Sequence, residues 1–491
     1  MAKAILVENE KVISYPKRDF YFSPSICYPE YPWGDKYIAK EINEVYELVR
    51  NSLYQAGYDS KNFGTKDWNP LGEFIQSGQT VLLKPNWVEN KNSNKNVKDN
   101  LSCLVTNPSV VRVILDYVCI ALKGTGTIIV ADAPMQQCDL QNLFEIVGYD
   151  CLFDFYAKEV NQKIIVQDLR KYSITAISRG VFTAPKAIEN SPGSITISLD
   201  ANSLHAEHDN INPKYKVSEY KQQDTAAYHH GNSHSYEISK YPIMADVIIN
   251  IPKPKTHRLA GMTAAIKNMV GITYEKACLP HRKAGDKESG GDTYQKKSFW
   301  KEQMQLFDEK KTTASTSGRY KSAWMYDFIM KGCYLMGWLF TGDKYRIGSW
   351  YGNDTIWRTS IDLNYILLYA DKKGELQNNI QRKVLTIADM IVAGQGAGPV
   401  GPHPKSLGMI MLAENSLLFD RIMCEIMGFD SNKIAMFNNS LTYHCFGYKS
   451  EEELENEDVL YNHEKIKVKD IVAKKKWKFD AHPCWKGHIE K

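Results

Sequence analysis

The sequence predicts an α/β fold, with a parallel-sheet domain, a second, smaller α/β domain and an interdomain cleft. Three observations carry that reading. Short apolar runs each stop at a polar or proline-containing loop. Capped, helix-length segments alternate with those runs. The length of 491 residues exceeds what one hydrophobic core ordinarily supports.

Residues 1–74 are rich in Tyr, Pro and Asn around one amphipathic helix over 40–55, and read as an N-terminal extension on a larger domain. Thr80-Val-Leu-Leu-Lys84, ended by Pro85-Asn86, reads as a buried strand that stops at a polar loop over 89–100. Asn107 and Pro108 supply an N-cap and a first-turn proline for a helix closed by Gly124. The next strand, over 127–131, ends at Asp132-Ala-Pro134 and completes a β-α-β crossover. Open parallel sheets place ligands at the carboxyl ends of their strands, which makes Lys84, Asn86 and Asp132 candidate anion-binding groups; equally, Asp132 could cap the next turn. A helix over 139–147, a strand over 163–167, a His-rich polar insertion over 191–240 and a strand over 246–251 follow. A second polar insertion, 283–320, and a helix over 323–340 close a domain spanning 75–345. The smaller domain, 346–440, holds strands over 362–370 and 384–390 and a helix over 417–427, and 441–491 is a C-terminal tail.

Composition narrows the classes. The formal charge of +4 lacks the concentrated basic footprint of a nucleic-acid binder, so no nucleic-acid partner is expected, and the basic run 465–478 reads as a solvated face. Ten scattered cysteines without a Cys-x-x-Cys pair fit free thiols in a reducing compartment and disfavour an iron–sulfur protein. The start lacks a signal-peptide core, so a cytoplasmic location is expected. The most apolar window, 323–340, carries Asp327 and Lys331, which argues against a membrane span and leaves interfacial contact open.

The densest chemistry lies in residues 251–281, IPKPKTHRLAGMTAAIKNMVGITYEKACLPH. Lys253, Lys255, Thr256 and His257 sit where a buried strand ends, on an expected strand-to-helix loop. A helix starting near Leu259 would then carry Lys267 and Asn268. A lysine and an amide among small apolar residues need partners or a task, because burying them unpaired costs several kcal/mol. Singly, His257 reads as a cap and Lys267 as a snorkelling lysine; with Lys276 and His281 close behind, the group reads as a site. His257, Lys267 and His281 are the catalytic candidates. The glycine-rich stretch 394–401 is expected to face this segment as a loop, with Gly396 and Gly398 presenting amides to an anion; a tight turn is the alternative. Arg358, in Trp357-Arg358-Thr359, either orients an anionic substrate or forms an interdomain ion pair. His205, His208, His229, His230 and His234 fit a solvated loop better than a metal site, and His482, Cys484 and His488 match a metal pair by spacing alone.

Nine segments in order, YPEYPW (28–33), WNPLGEFI (68–75), VLLKPNWV (81–88), TNPSVVR (106–112), ADAPMQQCD (131–139), IPKPKTH with AIKNMVGI, LPHRKAG with GGD (279–292), WRTSIDLN (357–364) and AGQGAGPVGP (393–402), resemble domain of unknown function family 362 over nearly the whole chain, in the long form met near polysaccharide biosynthesis clusters. More distantly, His257, Gly261, Lys267 and His281 resemble the cofactor segment of nickel-pincer lactate racemases, with Met262-Thr-Ala-Ala in place of a glycine-rich stretch. That resemblance implies a lysine-attached nickel-type cofactor on Lys267, His281 as metal ligand, and histidine acid–base chemistry. Together these readings give an enzyme of the isomerase or epimerase kind acting on a small anionic sugar-derived or hydroxy-acid substrate, with Lys267 and His281 at a divalent metal or that cofactor and His257 as acid–base. The alternative is a non-catalytic binding protein for an anionic glycan or nucleotide precursor. The oligomeric state is not legible.

Overall fold

The structure, a computed structural model, describes residues 3–97, 101–178 and 180–491; residues 98–100 of the expected loop lie outside it. Eleven strands form one sheet. In chain order they are β1 (Ala4–Glu8), β2 (Thr80–Pro85), β3 (Thr127–Asp132), β4 (Ile164–Asp168), β5 (Val247–Ile251), β6 (Lys255–His257), β7 (Gly261–Thr263), β8 (Lys383–Ala397), β9 (Gly401–Ala413), β10 (Asp458–Tyr461) and β11 (Glu464–Lys467). Across the sheet the order is β11-β10-β1-β9-β8-β5-β2-β3-β4, with β6 pairing to β7 and β8. The centre, β8-β5-β2-β3-β4, is parallel. The other side is mixed: β9 runs antiparallel to both β8 and β1.

The parallel strands are buried on both faces, as their unbroken apolar runs require. Val81 and Leu83 of β2 face α2 (Pro108–Leu122), whereas Leu82 clusters with Leu363, Ile366 and Leu367 on the other side. The helices that matter below are α1 (Glu44–Gln55), α3 (Leu140–Val147), α4 (Tyr149–Glu159), α5 (Ala265–Asn268), α6 (Phe299–Thr316), α7 (Tyr320–Thr341), α8 (Ile356–Tyr369) and α9 (Ser416–Met427). From β2 the chain moves outward through β3 and β4, then crosses back to lay β5 on the other edge of β2. The order therefore reverses between β2 and β5, and such reversals open a crevice at the carboxyl ends of the strands.

Several expectations need correction. Residues 362–369 belong to helix α8, which is buried almost all round, so its apolar residues show no one-sided stripe to distinguish it from a strand. The expected strand 384–390 runs on to Ala397, and the glycine-rich stretch is strand and hairpin rather than loop. The strand expected over 384–390 in the smaller domain instead continues the central sheet, as part of β8. The insertion 283–320 contains α6. The His-rich stretch is not a solvated loop: His205, His229 and His234 are buried, with His229 Nε2 bonded to the Cys278 carbonyl and His234 Nε2 2.8 Å from Asp209. Among the described residues, no helix is long and apolar enough to cross a membrane.

Candidate functional site

A cavity of about 180 Å³ opens at the reversal point. Its wall comes from the segments after β2 (Asn86, Val88), after β3 (residues 132–137) and after β5, and from the tip of the β8–β9 hairpin (Pro399, Val400). His257, Lys267 and His281 all line it, together with Lys255, Arg258 and Lys276.

The segment that carries them is not the expected helix. Residues 255–263 fold back as the β6–β7 hairpin, and α5 is a single turn, so Lys267 sits in its first turn. That turn is too short to be stable by itself. Side chains from four surrounding elements hold it. The carboxylate of Asp420, on α9, accepts from the backbone N–H of Ala265 (2.7 Å) and Ile266 (3.3 Å). Asn250 of β5 and Asn364 of α8 donate to the carbonyls of Ala265 and Ile266, at 3.1 and 2.9 Å. Asn268 donates to Asn250 (2.8 Å) and to the Lys84 carbonyl in β2 (3.2 Å), and accepts from Asn86 (3.0 Å).

The two histidines are held in opposite tautomers. His257 Nδ1 accepts from the N–H of Leu259 (3.0 Å) and Ala260 (3.1 Å), which puts the proton of the neutral ring on Nε2. His281 Nδ1 donates to the Leu279 carbonyl (2.7 Å), which leaves Nε2 with a lone pair. Both rings stay neutral. Burial, reinforced by Lys267 and Arg258, holds His257 well below the usual imidazole range. Burial and then Lys267 push His281 down to about 3.

The cations have no contact ion pair, although Glu219 acts on Arg258 and Asp132 on Lys276 from further off. Among the described residues no carboxylate lies within ion-pair distance of Lys255, Lys267, Lys276 or Arg258. Lys255 donates to Asn86 Oδ1 and the Leu104 carbonyl, both at 2.6 Å, and Lys276 to the Ala133 carbonyl at 2.7 Å. Burial lowers Lys267 to about 7, with Lys276 and Arg258 adding to the shift. Burial and Lys253 bring Lys255 to about 7, and burial brings Lys276 to about 8. Arg258 is lowered too, by burial.

The remaining candidates divide. Asn86, Asp132 and Asn268 line the cavity. Asp132 is already neutralised: Lys84 Nζ lies 2.6 Å from its Oδ1, and its Oδ2 accepts from Trp87 N–H at 2.7 Å. Lys84 is wholly buried beneath the cavity floor, close against Gly271. Lys253 pairs with Asp389 (2.9 Å) away from the cavity. Thr256 Oγ1 donates to the Gly396 carbonyl (2.9 Å). Arg358 forms an ion pair with Asp354 (3.2 Å) and bonds Glu207, so of its two readings the pairing role holds, and it does not reach the cavity. Gly396 and Gly398 are not anion donors: their N–H groups bond the carbonyls of Asp480 (2.8 Å) and Gly396 (2.9 Å). The glycines serve close packing instead, since a Cβ on Gly398 would stand 1.9 Å from the Thr256 carbonyl oxygen. His482 and His488 are apart from one another in role, His488 stacking on Tyr351 at 3.7 Å.

Sequence reasoning missed Arg258, because a residue next to His257 on a strand points the other way unless the chain turns, as it does here. It also missed Glu219 and Tyr220, which belong to a distant insertion and carry no local signal, and Gln136, which follows β3 among residues 132–137. These residues and Arg258 form the wall shared with a larger chamber of about 660 Å³.

A bare divalent ion does not suit this donor set. Among the described residues no three His, Cys, Asp or Glu groups cluster as a metal shell, and His281 is flanked by the cations Lys267 and Arg258. A lysine-attached group fits better, since Lys267 is unpaired and His281 Nε2 is available on the same wall.

Residues 205–425, somewhat under half of the chain, match the family model described as Domain of unknown function (DUF362). No curated protein matches. Two solved structures are similar: a protein from Thermotoga maritima solved by a structural genomics consortium (9% identity over 76% of this chain and 56% of that one, TM-score 0.29), and the lactate racemase apoprotein from Thermoanaerobacterium thermosaccharolyticum (13% identity, 73% and 55%, TM-score 0.27). The chain thus spans little more than half the length of these structures.

Proposed function

We propose that the chain is an isomerase or epimerase that enolises a small anionic hydroxy-acid or sugar-derived substrate. The observation that carries this is the pairing of two neutral histidines in opposite tautomers on one cavity wall with four basic side chains that have no contact ion pair. Lys255, Lys267, Lys276 and Arg258 bind the substrate's carboxylate or phosphate, which supplies the negative charge they lack. His281 Nε2 takes the proton from the carbon next to the carbonyl, and the C–H electron pair moves into the enol double bond. The oxygen that gains charge accepts a hydrogen bond from His257 Nε2–H. A neutral imidazole suits that task, since its depressed pKa keeps it from becoming an imidazolium that would simply protonate. Return of the proton from His281 Nε2–H to the neighbouring carbon of the enediol, as the hydroxyl on the first carbon gives up its proton and becomes the new carbonyl, completes an isomerisation and leaves His281 neutral.

Substrate charge also switches the base on. Burial and then Lys267, with Arg258, hold His281 down, and a bound anion offsets the part that these two cations contribute. A lysine-attached nickel-type group, as the racemase resemblance implies, would be carried by Lys267 and would supply an electron-accepting centre to the same cavity, with His281 Nε2 as its ligand in place of the base role given above.

The test is deuterium wash-in from D2O, read by proton NMR, across a panel of 2-hydroxy acids, uronates and keto-sugar phosphates. The expected result is exchange of the C–H next to the carbonyl of one class, abolished by His281→Gln. Lys267→Ala should lower kcat by roughly 10²-fold or more, so that saturating substrate does not restore the rate. A binding protein would instead exchange nothing and would show only a weakened, recoverable affinity in Lys267→Ala.

A further inference from the structure

Helices α6 and α7 pack as a hairpin against the larger chamber, whose wall takes Asp308, Lys311 and Thr312 from α6. The inner side of the hairpin is buried through Met304, Met330 and Cys333. The outer side of α7 is not covered: Phe328 is 79% exposed, Phe340 72%, Leu339 66% and Leu335 48%. Residues 328, 335 and 339 follow one another at helical spacing, so they form a single apolar stripe rather than scattered exposures. Phe299, at the start of α6, is 63% exposed as well. The exposed charge on the hairpin is predominantly basic. Between residues 296 and 331 the exposed charged side chains are Lys296, Lys297, Lys310, Arg319, Lys321 and Lys331, against the single acid Glu302.

We propose that the α6–α7 hairpin is an interfacial anchor for an anionic phospholipid surface, with the apolar stripe seated among the headgroups and acyl ends and the basic residues on lipid phosphates. An apolar face rimmed by lysine and arginine is the composition of helices that lie in a membrane interface. A second copy of the chain fits poorly, because a two-fold contact would bring this same patch against itself and set its basic residues against each other. The hairpin lies on the surface rather than through it, since Asp327 and Lys331 pair in the middle of α7 and neither helix is apolar enough to cross. Docking would hold the chamber wall formed by α6 close to the lipid surface.

Cosedimentation of the purified full chain with vesicles tests this. The chain is expected to pellet with phosphatidylcholine vesicles that contain phosphatidylglycerol, far less with phosphatidylcholine alone, and to be released by high salt. Phe328→Glu with Leu339→Glu should lower the bound fraction on the order of tenfold, with the circular dichroism spectrum and Tm unchanged because both side chains are exposed. Lys296→Glu with Lys297→Glu, which leaves the apolar stripe intact, should abolish the preference for the anionic vesicles. The proposal is overturned if the wild-type chain stays in the supernatant with both vesicle types, or if ultracentrifugation shows a dimer that the apolar substitutions dissociate while vesicle binding is absent.

Discussion

At the scale of single residues, the depressed lysines tie the site to pH. For Lys267, the folded pKa of about 7 stands against an ordinary value of 10.5. Below about 7 the lysine is charged in both states, and the folded chain bears the full cost of burying that charge. As pH rises from about 7 towards 10.5, the unfolded lysine keeps its proton while the folded one sheds it, so folding stability rises. Tm followed across this window should therefore climb more for the wild type than for Lys267→Met, in which the titrating group is gone. Equal slopes would show that Lys267 does not titrate near 7. The same reasoning gives proton uptake on anion binding at pH 8, which calorimetry in buffers of different ionisation enthalpy would detect. Gly271 makes a second point. A Cβ there would stand 2.0 Å from Asp132 Oδ1 and 2.7 Å from Lys84 Nζ, inside a buried ion pair. Gly271→Ala is expected to cost about 1–3 kcal/mol in urea unfolding.

At the scale of elements, α5 shows how a turn of four residues can present a lysine reliably. Its amides are held by Asp420, whose carboxyl burial pushes up to about 8, so that at neutral pH it accepts as a largely uncharged group. Asp420→Asn keeps an acceptor for the closer of the two bonds and should be mild. Asp420→Ala leaves the Ala265 and Ile266 amides buried without a partner, and is expected to lose about 1–3 kcal/mol of stability. Anion affinity should fall with it, because Lys267 would no longer be fixed. Much of this site was legible locally. The motif at 251–281 stood out because Lys267 and Asn268 interrupt an apolar run, and the structure places His257, Lys267 and His281 on one cavity. The hairpin β6–β7 was not legible, because its three-residue strands gain their pairing from β8, more than a hundred residues later.

At the scale of the whole molecule, the C-terminal tail braces the site from outside. The Trp485 ring lies against Gly261, within 3.1 Å of where a Cβ would stand, and its Nε1 donates to the Arg258 carbonyl at 2.9 Å. The Asp480 carbonyl accepts from Gly396 N–H. Trp485→Ala should loosen the β6–β7 hairpin, and its expected mark is weaker anion binding with faster amide exchange at residues 257–263; unchanged exchange would make the tail a bystander. By itself, the sequence determined the apolar strand runs, their punctuation by Pro85-Asn86 and Asp132-Ala-Pro134, the helix capped by Asn107 and Pro108, and the cluster of lysines and histidines after β5, because each is a short-range pattern of polarity or capping. Only the tertiary structure decided that α8 is a helix, that the glycine-rich stretch packs against Thr256 rather than cradling an anion, that Arg358 is spent on Asp354 and Glu207, and that Arg258 joins the cavity. Those outcomes depend on which distant backbone or charge lies opposite, and contacts across the sheet set that, not neighbours along the chain.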